Sequence, residues 1–307
     1  MAQKEIIASL ETIVQRDVSR DVASLGQEAR GGLFDAARSI ADCPDPVAVL
    51  MTGAFMPWAE PPAAETDGPV GVAELATGLR GAGTAVRVAT DSRCEEVVRI
   101  ALAAADPPHD IPLDVIPVDG AEAAIAELAA RYRDDYGVTH AIAVERLGPA
   151  DDGRVYDMSG RDVSAFTAPL HRLFDGGPWK RIGIGDGGNE LGMGSLSREA
   201  VATAVSLGER IHCSVPCDHL IVSATSNWGA QALLAAVAVL QEDRADALLA
   251  HLSAGRDIEI LREVVLKGPA VDGVTQTQTP SVDGVETEEL ARMVSELLAA
   301  VGRVDAR

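Results

Sequence analysis

The chain has 307 residues, of which 47% are hydrophobic, and a formal net charge of −21, so it can form one large α/β domain or two smaller ones. This charge argues against nucleic acid and anionic membrane surfaces as partners, because both would be repelled. No apolar run reaches the ~18 residues of a membrane span, and the N-terminus has an amphipathic pattern in place of a secretory signal, so we expect a soluble, cytoplasmic protein.

Residues 1–45 predict a helical segment. An apolar stripe of period 3.6 indicates one helix over residues 3–25, and a second pattern around Leu33 and Ile40 indicates another that ends near Pro44. The stripe consists of Ile6, Leu10, Ile13, Val14, Val18, Val22 and Leu25. We predict that this helical pair packs outside the main domain, residues 46–302, through core or homo-oligomer contacts.

From Val47 onward, short apolar runs alternate with helical patterns, which predicts an α/β fold with a mostly parallel sheet and helices on both faces. The predicted strands are 47–52, 86–90, 113–118, 141–144, 182–185 and 220–223. The predicted helices are 71–81, 93–105, 120–135, 164–174, 196–207, 227–241, 244–252, 256–266 and 286–301.

Polar residues follow five of the six predicted strands. They are Thr52-Gly53, Thr90-Asp91, Glu145-Arg146, Asp186 and Ser226-Asn227. The carboxyl ends of parallel strands share one edge of the sheet, where open α/β folds bind ligands. We therefore expect these residues to converge on a site, which we favour over independent solvation of each acid.

The stretch 183–194, G-I-G-D-G-G-N-E-L-G-M-G, places six glycines between a predicted strand and a predicted helix. Such glycine density indicates a backbone that needs positive φ or close approach to a ligand. A dinucleotide site of the G-x-G-x-x-G type would bind phosphate on these amides. Asp186 and Glu190 would repel that anion, so a hard cation or an ammonium group is favoured. A structural turn with solvated acids is the alternative.

Two long loops extend the same edge of the predicted sheet. The first contains Glu65 and Asp67, and Asp67 has an alternative role as the N-cap of the helix that starts near Pro69. The second spans residues 148–162, where Tyr156, Arg161 and Asp162 can face a ligand. Asp162 can equally cap the helix that follows.

The four cysteines are too few for a disulfide scaffold in a chain of this length, which fits a reducing compartment. His212, Cys213, Cys217 and His219 lie close together in sequence, and a soft-metal site must be considered there. The spacing lacks a second paired set, so ordinary strand and turn packing is the favoured interpretation. Further along, Asp272-Gly273 and Asp283-Gly284 predict turns.

Several motifs together resemble the D-glutamate cyclase family, over about residues 30–300. They are Thr52-Gly53, E-T-D-G-P at 65–69, Thr90-Asp91, E-R-L-G at 145–148, the glycine-rich stretch 183–194 and S-N-W-G at 226–229. The match is to the C-terminal catalytic domain, which occurs alone in many bacteria. Residues 155–160, V-Y-D-M-S-G, depart from the paired tyrosines and arginine usual in the family, which affects the predicted substrate and leaves the predicted fold unchanged.

The resemblance implies a lyase that converts D-glutamate to 5-oxo-D-proline and water, helped by a divalent cation, Mn²⁺ or Mg²⁺. Its substrate would be a small amino diacid, whose side-chain carboxylate is a poor electrophile until a cation offsets its charge. Crowded carboxylates raise at least one pKa and so supply an acid and a base in one pocket.

Site residues follow from the same resemblance. The predicted metal ligands are Asp91, Asp186 and Glu190, the catalytic groups Glu65, Asp67, Glu145 and Arg146, and the substrate-binding residues Thr52, Gly53, Asn189 and Asn227. Arg146 is either a clamp for the α-carboxylate or a structural ion pair with one of the acids. Two other functions use the same parts: a metal-dependent phosphohydrolase and a non-catalytic metal- or metabolite-binding protein.

Overall fold

The computed structural model describes residues 2–16, 21–105 and 111–303. Its strands are β1 (Val47–Thr52), β2 (Phe55–Met56), β3 (Ala63–Ala64), β4 (Ala85–Asp91), β5 (Leu113–Ile116), β6 (His140–Val144), β7 (Lys180–Gly185) and β8 (His219–Val222). Its helices are α1 (Gln3–Val14), α2 (Val22–Glu28), α3 (Gly32–Ala41), α4 (Pro69–Gly81), α5 (Glu95–Ala105), α6 (Ala121–Asp134), α7 (His171–Phe174), α8 (Arg198–Ala204), α9 (Gly208–Ile211), α10 (Ser226–Leu240), α11 (Ala245–Leu249), α12 (Ala254–Leu266) and α13 (Thr287–Ala300).

Six parallel strands form the central sheet, in the order β5-β4-β1-β6-β7-β8. Numbered along the chain within this sheet alone, the order is 3-2-1-4-5-6, that of a doubly wound fold. The order reverses between β1 and β6, and in such folds the ligand crevice lies beyond the carboxyl ends of the strands at that point. The predicted mostly parallel α/β fold is confirmed.

All six predicted sheet strands are present, while β2 and β3 are an antiparallel pair inside what the sequence indicated as a loop. Three predicted helices are shorter or divided, and of residues 244–252 only α11 is helical. Residues 164–174 form a 3-10 turn, Ser164–Phe166, followed by α7, because Pro169 has no N–H to continue a helix. The predicted helix 196–207 is only α8, which begins where the Ser197 hydroxyl accepts from the Ala200 N–H at 3.1 Å.

Within residues 2–16 and 21–45, the N-terminal segment contains three helices in place of the predicted pair. Asp21 caps α2 by accepting from the Ser24 N–H at 3.2 Å, and a new cap begins a separate helix. Val18 of the predicted stripe lies outside the described residues. α1 packs on α10 and α13, whereas α3 packs on α10 and β8. Buried side chains of α1 and α3 share the core of the sheet, and the division of the chain at residue 45 stays a prediction.

α10 and α4 position the site. α10 is buried from Ser226 to Val239 and packs on α4. The two helices meet at their first turns, where a Cβ on Gly71 would lie 2.7 Å from the Asn227 Cα, so only glycine permits this approach. Among the residues that the structure describes, no helix is both long enough and apolar enough to cross a membrane.

Candidate active site

A cavity of about 270 Å³ opens at the carboxyl edge of the sheet, next to β6. Its walls come from the β2–β3 hairpin, the loops after β6 and β7, and the segment 273–283. Glu65, Glu145, Arg161, Asn189 and Asp283 are among its lining residues. The cavity is at the small end of the range for ligand pockets, which suits a small metabolite.

Three buried carboxylates converge beside this cavity. Asp67, Glu145 and Asp186 each offer an oxygen, and these oxygens all lie within 4.8 Å of one another. Asp67 lies in the connection from β1 to α4, Glu145 follows β6 and Asp186 follows β7, and β1 and β6 flank the reversal of strand order. Carboxylate oxygens are the ligands that Mn²⁺ and Mg²⁺ prefer. The donor set therefore fits a divalent cation.

Asp67 is fixed by backbone groups at the start of α10. Its Oδ1 accepts from the N–H of Asn227 at 2.8 Å and its Oδ2 from that of Ser226 at 2.7 Å. The Asn227 side chain caps α4 in return, because its Oδ1 accepts from the N–H groups of Gly68 and Gly71, each at 2.8 Å. Burial, followed by the Asp283 charge, raises the pKa of Asp67 to about 8. The backbone N–H groups of Asn227, Ser226 and Gly68, which donate to its carboxylate, oppose this shift.

Glu145 combines backbone strain with burial. Its φ is +46°, a left-handed conformation that costs a non-glycine residue on the order of 1–3 kcal/mol. The Ser226 hydroxyl donates to Glu145 Oε2 at 2.6 Å. Burial, followed by the negative charges of Glu190 and Glu65, raises the pKa of Glu145 well above its ordinary value. A carboxylate with a raised pKa is a stronger base, and it can return the proton as an acid.

The glycine-rich stretch forms a tight turn around Glu190. Glu190 Oε1 accepts from the N–H groups of Asp186 at 2.8 Å and Gly187 at 2.6 Å. Its Oε2 is buried and has no hydrogen-bond donor among the described residues. A buried carboxylate oxygen without a donor is costly unless a cation neutralises it, which is a second observation in favour of a cation here.

Asp91 and Arg146 form an ion pair. Arg146 Nη1 donates to Asp91 Oδ2 at 2.7 Å, and both side chains are at most 1% exposed. The same guanidinium donates to the carbonyls of Gly53 and Ala168. Asp91 is not part of the converging group of three acids. The ion pair, one of the two roles predicted for Arg146, is present, and the role of substrate clamp stays a prediction.

The predicted substrate-binding residues are distributed around the same edge. Asn189 lines the cavity and donates from Nδ2 to the Tyr156 carbonyl at 2.8 Å. The Thr52 carbonyl accepts from the Thr90 hydroxyl at 2.8 Å, while Gly53 has a φ of +116°. Thr52, Gly53 and Asn227 are not among the lining residues.

Sequence reasoning missed the contribution of segment 273–283. Asp283 lines the cavity with a φ of +53°, and Gln276 does so with a φ of +56°. A Cβ on Gly273 would collide with Glu65 Oε2 and lie 3.1 Å from Asp283 Oδ1, so this glycine lets two acids approach. The Asp-Gly pairs at 272 and 283 were the available signal, but such pairs predict turns anywhere.

The His/Cys cluster has the contacts of ordinary packing. His212 Nε2 lies 3.0 Å from the Met193 carbonyl, and burial raises the pKa of the Cys213 thiol to about 12. Burial likewise raises the pKa of Cys217. Metals bind thiolates, which these environments disfavour. Within residues 2–16, 21–105 and 111–303, no metal-binding group of three includes these side chains.

The fold and site define a doubly wound α/β protein whose switch point holds an acid-lined cavity. A family model described as D-glutamate cyclase-like, C-terminal, matches residues 10–298. The chain belongs to this family. It is also 33% identical to human mitochondrial D-glutamate cyclase over 192 residues, which is 59% of this chain and 30% of the human protein. The match thus spans less than a third of that relative.

Proposed function

We propose that this chain is a lyase that converts D-glutamate to 5-oxo-D-proline and water with the help of Mn²⁺ or Mg²⁺. The observation that carries the proposal is the convergence of Asp67, Glu145 and Asp186 at the switch point of the sheet. Membership of the D-glutamate cyclase-like family supports the reaction. The small cavity beside the three acids supports a small amino diacid as substrate.

Asp67 and Asp186 would hold the cation, and Glu190 lies next to Asp186 and accepts from its N–H. Asp67 is pre-positioned by three backbone N–H groups, and the Asp186 N–H is fixed by Glu190. When bound, the cation offsets the charge of the side-chain carboxylate of the substrate and polarises its carbon. Asp91, a predicted ligand, has its charge matched by Arg146, and we assign this pair to positioning the loop after β6.

Glu145 is assigned the proton transfers. As the N–C bond forms and the C–O bond breaks, the ammonium nitrogen loses two protons and the departing oxygen leaves with both as water. The reaction therefore needs a relay and no net proton donor. Glu145 lines the cavity, and the Ser226 hydroxyl occupies its Oε2, so Oε1 takes the two nitrogen protons one at a time and returns each to the departing oxygen.

The test is to incubate the protein with Mn²⁺ and either D- or L-glutamate, and to follow 5-oxoproline by NMR. We expect product from D-glutamate, and a decrease of at least about a hundredfold in Glu145→Gln, the scale of a lost acid-base group. Glu74→Gln makes the same change at a buried glutamate outside the cavity and serves as the control. Release of phosphate from a parallel ester panel, without 5-oxoproline, would overturn the proposal.

A further inference from the structure

The cavity contains far more negative than positive charge. Four acids line it, namely Glu65, Glu145, Asp157 and Asp283. Arg161 is the one cationic side chain among the described lining residues. A substrate with two carboxylates therefore needs a positive partner for each, because like charges in a poorly solvated site repel strongly. The cation proposed above serves the reacting carboxylate and leaves the other without a partner.

Arg161 is held in a fixed direction before any ligand binds. Its Nε donates to Asp157 Oδ2 at 2.7 Å, and its guanidinium carbon lies 4.3 Å from the centre of the Trp58 ring. Trp58 in turn packs edge-on against Phe166, with ring centroids 6.2 Å apart. In the part of the chain that the structure describes, no acceptor takes a hydrogen bond from the Arg161 Nη groups. These groups remain available for a carboxylate.

We infer that Arg161, supported by Trp58, binds the carboxylate that does not react, the α-carboxylate of an amino diacid. This inference rests on the proposed function and names the substrate class of the same site. The amine and side-chain carboxyl would then lie toward Glu145, at the inner end of the cavity. A substrate without the second carboxylate loses a charge-assisted hydrogen bond and leaves the Arg161 Nη groups without a substrate acceptor.

Other arginines near the cavity cannot take this role. Arg146 is fully buried on Asp91 and two carbonyls. Arg210 stacks on Tyr156 at 4.9 Å, but it is exposed and does not line the cavity. Arg161 is 36% exposed, so its ion pair with Asp157 adds little stability at such a position. Arg210 thus provides a matched control, a stacked arginine outside the cavity.

The experiment compares D-glutamate with 4-aminobutanoate, which has the same amine and reacting carboxyl but no α-carboxylate and would cyclise to pyrrolidin-2-one. We expect the Mn²⁺-supplemented wild type to favour D-glutamate. Arg161→Met should raise its KM by about 10- to 100-fold, the scale of a charge-assisted hydrogen bond. Turnover of 4-aminobutanoate should change less than about threefold, Arg161→Lys should recover part of the loss, and Arg210→Met should behave as wild type.

Equal losses for both substrates in Arg161→Met, or an unchanged KM for D-glutamate, would overturn the inference. Calorimetric titration with D-glutamate keeps this result separate from the proposed function. If the wild type turns over neither substrate, the cyclase proposal fails. Loss of D-glutamate binding in Arg161→Met, with binding retained in Arg210→Met, would still support the carboxylate site. Absence of D-glutamate binding to the wild type, or equal binding to Arg161→Met, would overturn it.

Discussion

Asp67 and Asn227 cap each other's helices: the Asp67 carboxylate accepts from the first N–H groups of α10, while the Asn227 side chain accepts from those of α4. Two helix N-termini carry partial positive charge and point toward the acids. These hydrogen bonds therefore leave the Asp67 carboxylate little freedom to move. The position of Asp67 and the stability of the first turns of α4 and α10 depend on the same group of contacts.

Asn227→Ala should test this exchange. It removes the acceptor for two buried N–H groups, which costs about 1–3 kcal/mol for a buried donor left unpaired. Urea unfolding should report this loss. Turnover should decrease as well, because the Gly68 N–H, next to Asp67, loses the acceptor that fixes the start of α4. An unchanged free energy of unfolding would show that water or another acceptor replaces the Asn227 oxygen.

Asp186→Asn and Glu190→Gln should separate metal binding from folding. Each substitution keeps shape and removes one of several mutually repelling charges, so without metal each variant should match the wild type or gain up to about 2 kcal/mol. The increase of Tm on adding Mn²⁺ should disappear, because it arises only from binding to the folded state. Thermal melts with and without Mn²⁺ measure both. A variant that is destabilised without metal but keeps its Mn²⁺ shift would show these acids to be structural.

Arg146→Met should unfold more easily. The substitution leaves Asp91 buried without its cation, and breaking a buried pair from one side costs about 3–5 kcal/mol. Asp91→Asn in the Arg146→Met background should recover part of this loss, since it removes the unpaired charge. Urea midpoints of the single and double variants provide the comparison. Full stability of Arg146→Met, with a loss confined to substrate binding, would favour the clamp role.

Asp257 and Glu74 predict a pH dependence of stability away from the site. Gln231 Nε2 donates to both carboxylates, at 2.9 and 2.6 Å. Burial raises the pKa of Asp257 to about 7, and burial followed by the Asp257 charge raises that of Glu74. With its pKa raised on folding, Asp257 stabilises the protein below its unfolded pKa. This contribution decreases as pH rises and is lost above about 7.

The stability of Asp257→Asn relative to the wild type should therefore increase as the pH is raised from 5 to 8. The expected increase in the free energy of unfolding is on the order of 2–4 kcal/mol. Urea unfolding at the two pH values measures the difference. Glu127→Gln, which alters an exposed acid, should show no such change. A wild-type stability that rises over this interval would contradict the sign.

Substitution of Cys213 and Cys217 by serine should leave the metal content unchanged. Both thiols lie in environments that raise their pKa by burial, and the proposed ligands are oxygens. Elemental analysis after loading with Mn²⁺ provides the measurement, with Zn²⁺ as a second metal. A loss of bound metal in the serine variant would move the site to the His/Cys cluster.

Periodicity predicted the sheet because strand and helix patterns are local. Each of the six sheet strands was predicted within about two residues at either end. The parallel arrangement then made Glu145 and Asp186 neighbours, although 40 residues separate them in the chain. The local sequence pattern and the parallel topology were together sufficient to predict that Glu145 and Asp186 are neighbours.

Pairing among charged groups was not predictable from the chain. Nothing in the sequence shows that Arg146 pairs with Asp91 and not with Asp186, since any acid at the edge could take that arginine. The segment containing Asp283 reaches the cavity by pairing with the end of β3, where the Thr66 N–H donates to the Val271 carbonyl at 2.9 Å. Such a contact between distant segments leaves no periodic signal.

The residues in and around the cavity belong to two different kinds of chain segment. The converging acids Glu145 and Asp186 stand directly on the ends of sheet strands, whereas Arg161, Trp58 and Asp283 lie on connecting segments. Connecting segments tolerate sequence change far better than sheet ends do. Evolution, or a protein engineer, can therefore exchange the residues on the connecting segments to admit a different ligand while the acids at the strand ends are kept.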